Sequence, residues 1–275
     1  MSKKKQRNKY YQEHNSSPKE FSSSLVAANI KDILQRYKKY VYIFLLIGTI
    51  TYFPIFRNGF VWDDNFFILQ NFSAHPSISQ SFLTHNVFNS GSFYRPITSL
   101  YFFVLYTIFG QNAFYYHLTQ LFLHIVVTVL LFAFLRLFFF EWISFFLALI
   151  FLVHPINVES VAFISATNSE LLFLFGISAL LLGVKDNLKT GKIIVISLLL
   201  LLSTLVKEPG ILFLFLILLY RYLFKLDKLK EIMLSGLGVL GVYLYLRVVV
   251  GGQGLSSYPN SIPIRLLSLS DRLIN

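Results

Sequence analysis

The 275-residue chain has no cysteine. Disulfides, thiolate metal sites and a cysteine nucleophile are excluded together. Charge is also scarce, since 13% of the residues are Asp, Glu, Lys or Arg, about half the share in a soluble domain. Acids are the scarcer sign, 13 against 24 basic residues, for a net charge of +11. What fills the chain instead is apolar: 55% hydrophobic residues, 30 of the total being phenylalanine, with a mean hydropathy of +0.63. Such a chain would present large greasy patches to water. The composition therefore excludes an ordinary soluble enzyme or a DNA-binding domain and predicts an all-α, polytopic membrane protein. The positive charge then serves orientation and contact with anionic membrane lipid, and nucleic acid is not an expected partner.

Residues 1–39 are polar and basic and read as a cytoplasmic tail, disordered at its start. The remainder, 40–275, reads as one transmembrane module. Apolar runs fall at 40–56, 114–135, 142–158, 161–183, 193–206, 211–223 and 232–250, several of them shorter than the ~20 residues of a usual spanning helix. A further apolar segment, Pro96–Phe109, starts at a proline and would rise only about 21 Å as a helix. It is read as a helix lying at the membrane surface. Counting basic residues supports that choice, because seven spans with the tail inside put 18 of the 24 on the inner side. Arg57, Arg95, Lys207, Arg247, Arg265 and Arg272 remain outside.

The outer side then carries the unusual features. A first outer loop, 57–113, holds Asp63 and Asp64 among Phe60, Val61, Trp62, Phe66 and Phe67. Long loops with local structure are commonly functional. Adjacent carboxylates in an apolar setting suit a general base or a metal ligand; they would equally cap the next helix or mark the interface. After the third span, HPINVESVAFISATNSELLFLFG carries His154, Glu159 and Glu170. The proline and the ISATNS stretch predict a broken helix with both acids on one side. An acid at the head of an apolar span is by default a site candidate, although Glu170 would also favour a helix start near Asn168 or Ser169. In LVKEPG, Lys207 could neutralise a phosphate, pair locally with Glu208 or snorkel to headgroups. Arg95 in FYRPIT has corresponding readings. His117, Gln120 and His124 form one stripe, whose best reading is interhelical hydrogen bonding because the histidines are too far apart to share a metal. Neither His75 nor His85 has a convincing ligand spacing.

FVWDDNFFILQN, YRPITSLYFFVLYTIFGQNAFYYHLTQLFLH, HPINVESVAFISATNSELLFLF and VKEPG, in that order, resemble the amino-terminal membrane module of the tetratricopeptide-linked transmembrane O-mannosyltransferase-like proteins. These group with the protein O-mannosyltransferases in the GT-C superfamily. The resemblance runs from about Arg57 to Ile211. It implies a glycosyltransferase that takes a sugar, such as mannose, from a polyprenyl- or dolichyl-phosphate donor to a hydroxyl of a protein or glycan, on the outer or lumenal face. The implied membrane is the cell membrane of a prokaryote or the endoplasmic reticulum of a eukaryote.

By the same resemblance Asp63 is the catalytic carboxylate, with Asp64 beside it and Glu170 as a second catalytic acid. Arg95 and Lys207 take the donor phosphate, and His154 and Glu159 support the site. The chemistry requires no cofactor, although the carboxylates could hold a divalent cation. The family continues with more helices and a tetratricopeptide array, whereas no 34-residue repeat occurs here, so the chain is expected to be truncated at its C-terminus. Two other classes fit the same composition: a transporter or flippase of a lipid-linked sugar, using the intramembrane acids, and a non-catalytic membrane scaffold.

Overall fold

The computed structural model describes residues 30–70 and 94–249. The start of the basic tail, the middle of the first outer loop with His75 and His85, and the segment from 250 onward lie outside the described residues. Within them the chain is helical and contains no strand. The helices are α1 Ile30–Tyr52, α2 Pro96–Phe109, α3 Ala113–Leu135, α4 Glu141–Val153, α5 Val158–Ala162, α6 Thr167–Gly183, α7 Thr190–Val206, α8 Leu212–Leu223 and α9 Leu229–Val249.

Local chemistry explains several boundaries. Pro96 opens α2, where its missing N–H costs nothing. Gly110 closes that helix at φ +57, a left-handed conformation suited to glycine. The Gly110 carbonyl then accepts from the Tyr116 hydroxyl at 2.9 Å. Asn112 starts α3, its side chain accepting from the amide of Phe114 at 3.2 Å. α4 stops where Pro155 can neither donate to the Phe151 carbonyl nor fit inside a helix. The Asn157 side-chain amide donates to that carbonyl instead, at 2.7 Å. The amide of Ile156 turns to Nδ1 of His154, 3.1 Å away. The break expected from the proline and ISATNS is therefore present, as α5 followed by a 3-10 turn at Ile164–Ala166.

Among the described residues four stretches are long and apolar enough to cross a membrane: Tyr37–Arg57, Ala113–Leu135, Ile164–Gly183 and Leu229–Val248. α4 and the Pro155–Ala162 segment, bent by 48°, make a fifth if counted together. The chain is a membrane protein, and large apolar side chains such as Trp142, Phe146, Leu237 and Leu244 accordingly lie exposed on its outside. α2 and α7 are shorter apolar helices.

α3 packs against α1, α4 and α6, while α7 lies against α6, α9 and α2. α8 joins the other side of α6, closely enough that a Cβ on Gly176 would meet the Phe213 ring at 2.1 Å. Contacts between helix ends, Asp64 with Ser165 and Thr98 with Val206 on one side, Arg136 with Tyr37 and Arg221 with Lys185 on the other, give the bundle two chemically distinct ends. One end gathers Lys38, Lys39, Arg136, Lys185, Lys189, Lys192, Arg221, Lys225, Lys228 and Lys230. The opposite end carries Asp63, Asp64, Glu159, Glu170 and Glu208, with Arg57, Arg95, Lys207 and Arg247. These are called the arginine end and the carboxylate end below.

Candidate functional site

At the carboxylate end the two adjacent aspartates part company. Asp64 is fully buried, and both its oxygens accept: Oδ2 from the amide of Val61 at 3.0 Å, Oδ1 from the amide and hydroxyl of Ser165 at 2.8 and 2.5 Å. The second link ties the segment after α1 to the 3-10 turn ahead of α6, across 101 residues. Asp63 is exposed beside it. Between Val61 and Asp63 stands Trp62 at φ +44, an uncommon backbone for a bulky residue, with its side chain 85% exposed and its ring 6.2 Å from that of Phe163. The tight turn thus turns Asp64 inward and leaves Asp63 and Trp62 accessible.

Deeper in the bundle, the broken helix offers the backbone acceptors that it cannot use itself. Gln120 donates its side-chain amide to the carbonyls of Ser160 and Phe163, at 2.6 and 2.8 Å. Leu152, whose carbonyl is released by the turn at Pro155, accepts from Tyr52 at 3.1 Å and faces His124 Nε2 at 3.0 Å. A carbonyl only accepts, so Nε2 carries a hydrogen. His124 Nδ1 lies 3.1 Å from Oε1 of Glu170, which also accepts from the Ser160 hydroxyl at 2.9 Å. With Nε2 facing the carbonyl, Nδ1 is the nitrogen that meets the Glu170 carboxylate, in a place where His124 is fully buried and Glu170 is 4% exposed.

The stripe of His117, Gln120 and His124 does bond between helices, as expected, for two of its three members. His117 is buried, and among the described residues neither ring nitrogen has a hydrogen-bond partner. The Asn58 backbone approaches it without closing a bond, and Asp64 is near enough for its charge to be felt. Gln120 Oε1 and Glu170 Oε2 are likewise buried and unpaired. Tyr101 on α2 donates to Thr119 at 3.1 Å and lies close to Thr167. Burial pushes its hydroxyl up to about 12, against the opposing pull of the two threonines.

The basic residues meet at the next turn of the same end. Lys207 is half-buried after α7, and no salt bridge joins it to Glu208. Glu208 turns instead to Arg95, 3.5 Å from Nη2, and to Arg247, 3.2 Å from Nη1. Arg247 also donates to Tyr243 at 2.7 Å. The Thr98 hydroxyl donates to the Val206 carbonyl at 3.3 Å, so α2 starts against the Lys207 turn. Farther along, Phe102 and Leu105 of α2 pack with Phe67 and Ile68 just beyond Asp64. One short helix thereby connects the basic turn to the acidic loop. A Cβ on Gly210 in this turn would lie 2.4 Å from the backbone of Ser203, which explains why glycine stands there.

The remaining expected residues do less. His154 caps the turn that ends α4, and Glu159 is exposed on α5 whereas Glu170 is buried on α6. The break between α5 and α6 separates them. Among the described residues no three His, Cys, Asp or Glu side chains gather as a metal site. Both oxygens of Asp64 accept hydrogen bonds, so the two adjacent carboxylates have different surroundings. Sequence reasoning missed Ser160, Ser165 and Arg247 as partners; ISATNS was legible only as a helix breaker. Comparison of the chain with protein-family models, with curated proteins and with solved structures finds no match to any of them.

Proposed function

We propose that the chain is a membrane glycosyltransferase of the GT-C kind, with seven helical crossings, its tail in the cytoplasm and its carboxylate end on the outer or lumenal side. It would move a sugar from a polyprenyl- or dolichyl-phosphate to a hydroxyl of a protein or glycan. One observation supports this reading above the others: an accessible carboxylate and a basic cluster occupy the same end of the bundle, linked by α2.

In the proposed reaction the acceptor oxygen attacks the anomeric carbon, the bond from that carbon to the phosphate oxygen breaks, and the acceptor proton passes to Asp63. The lipid phosphate leaves toward Lys207 and Arg95, whose charge would stabilise it. Asp64 is a positioning group, because the Ser165 clamp occupies it. The same is true of Glu170, held inside the bundle by His124 and Ser160. The exposed face of Trp62 beside Asp63 would suit the apolar face of a sugar ring. No step runs through a metal ion.

Sugar transfer by the purified chain in detergent tests this. Asp63→Asn should lower turnover by ~10²–10⁴-fold, the usual contribution of a general base, while Lys207→Met should weaken donor binding and leave the base step intact. Retained activity in Asp63→Asn, Asp64→Asn and Glu170→Gln alike overturns the mechanism. A second reading, proton-coupled transport of a lipid-linked sugar, is favoured by the buried contact between two titratable groups, His124 and Glu170, inside the bundle. Substrate uptake into liposomes abolished by Glu170→Gln, without any sugar transfer, would decide for it.

A further inference from the structure

The interior of the carboxylate end contains two buried carboxylates, Asp64 and Glu170, and among the described residues no buried lysine or arginine. Buried charge in a protein is normally paired or bound to a metal ion. The groups that donate to Asp64 are uncharged, the Val61 amide and Ser165. No salt bridge among the described residues brings a lysine or arginine to either acid. His124 contacts Glu170 alone, and the charge of Asp64 reaches His117 without a hydrogen bond. An imidazolium at His124 would answer one of the two carboxylates and leave the other.

Two oxygen atoms in this interior have no hydrogen-bond partner among the described residues, Gln120 Oε1 and Glu170 Oε2. Gln120 is fully buried and Glu170 nearly so. An amide oxygen and an ionised carboxylate oxygen only accept. Both side chains are anchored on one residue of the helix break: Gln120 donates to the Ser160 carbonyl at 2.6 Å, and the Ser160 hydroxyl donates to Glu170 Oε1 at 2.9 Å. Gln120 Nε2 also donates to the Phe163 carbonyl at 2.8 Å. Turning the amide over would set its oxygen against two carbonyls, so Oε1 is the atom left without a donor. Each of those carbonyls keeps a second lone pair. Oxygen thus accumulates where α3 and α6 pack beside the break, with little to donate to it.

Such a place asks for a small ligand that is positive and needs no acceptor returned to it. Water would satisfy the oxygens and leave the charge, and a divalent ion asks for more carboxylate than Glu170 supplies. We propose that Gln120 Oε1 and Glu170 Oε2 bind a sodium ion, whose remaining positions are filled by carbonyls of the break or by water entering past half-buried Ser160. Carbonyls of interrupted membrane helices are a recognised means of holding sodium. The ion fastens α3 to the start of α6. The site does not depend on the proposed sugar transfer and is tested apart from it.

The test is thermal unfolding of the intact chain in detergent, in sodium chloride or choline chloride at one ionic strength. Sodium should raise Tm by about 3 °C or more. Glu170→Gln keeps the shape of the side chain without its charge and should abolish that increment. Glu208→Gln removes an acid of the same end whose side chain is 32% exposed, and the increment should remain. Equilibrium dialysis of the wild-type chain with radioactive sodium needs no variant to fold: binding should saturate, and unlabelled sodium chloride should displace it where choline chloride does not. Equal Tm in the two salts, a wild-type increment in Glu170→Gln, or no saturable sodium binding overturns the proposal. Loss of the increment in Glu208→Gln as well would mark a general salt effect and overturn it too.

Discussion

The two ends of the bundle handle buried polar groups in opposite ways. At the arginine end Arg221 is fully buried and well supplied with acceptors. It donates to the carbonyls of Gly183 and Lys185 at 2.7 and 3.0 Å, to the carbonyl of Asp227 at 2.9 Å and to its carboxylate at 2.7 Å. Those contacts finish the C-terminus of α6, whose last carbonyls have no helical partner. Arg136 serves the chain beyond α3 in the same manner, bonding to Phe139 and Tyr37. At the carboxylate end the buried atoms of His117, Gln120 and Glu170 include several with no partner. A buried polar atom left unpaired costs free energy that packing must offset, and such costs concentrate where a protein has a task besides folding. The polar groups of the first end tie it together; the second keeps several buried polar atoms unpaired among the described residues.

The sharpest way to break this comparison is to remove the best-satisfied group. Arg221→Leu should destabilise the protein by about 3 kcal/mol, since it takes the donor from the buried Gly183 carbonyl and breaks the tie between the end of α6 and Asp227. Chemical unfolding in detergent measures it, and a loss below about 1 kcal/mol would mean that the arginine end is not the stitched one. The converse change is His117→Met. It replaces an imidazole that closes no hydrogen bond among the described residues by an apolar side chain of similar size, so the same experiment should return a gain of about 1 kcal/mol. A clear loss would reveal a partner for His117 and erase the contrast between the ends.

The smallest effect is expected from Lys185. Burial, reinforced by Lys192, holds its ammonium below the usual 10.5. Just under that pH the unfolded chain binds a proton that the folded chain does not. Stability should therefore rise as pH increases through this window. In detergent free of anionic lipid, Lys185→Gln should raise stability at neutral pH and flatten the alkaline rise. An unchanged pH profile would place the lysine in water.

Much of the architecture could be read in advance because it follows from local rules. The proline at Pro96 and the glycine after Phe109 bracket α2 where the sequence suggested, and the expected run at 114–135 differs from α3 by one residue. The 3.6-residue stripe found Gln120 and His124 because a helix repeats its faces regardless of what packs against them. Partners were harder. Glu170 lies 46 residues from His124, and no spacing rule connects them. Lys207 and Glu208 are adjacent, and the local pair looked natural; extended backbone at Lys207, with φ −161 and ψ 142, sends neighbouring side chains to opposite sides, and Glu208 pairs with Arg95 and Arg247. Arg221 was counted as a loop charge because charge counting assigns a side to a residue without asking whether water reaches it. The difference between Asp63 and Asp64 came from a single left-handed residue, Trp62, which no periodicity could foretell.

The short 3-10 turn at Ile164–Ala166 has one more consequence, which concerns angular phase. Each residue added to or removed from it would rotate α6 by about 100° about its own axis. Glu170 would swing away from His124, and Leu172, whose carbonyl accepts from Ser203 at 2.9 Å, would lose its place against α7. Ser165 within the same turn fastens it to Asp64. The loop that carries the aspartates thus acts as an index pin for a helix that begins a hundred residues later. The length of this turn is fixed by geometry at both its ends, whereas exposed residues such as Asp186 and Asn187 between α6 and α7 set no comparable phase.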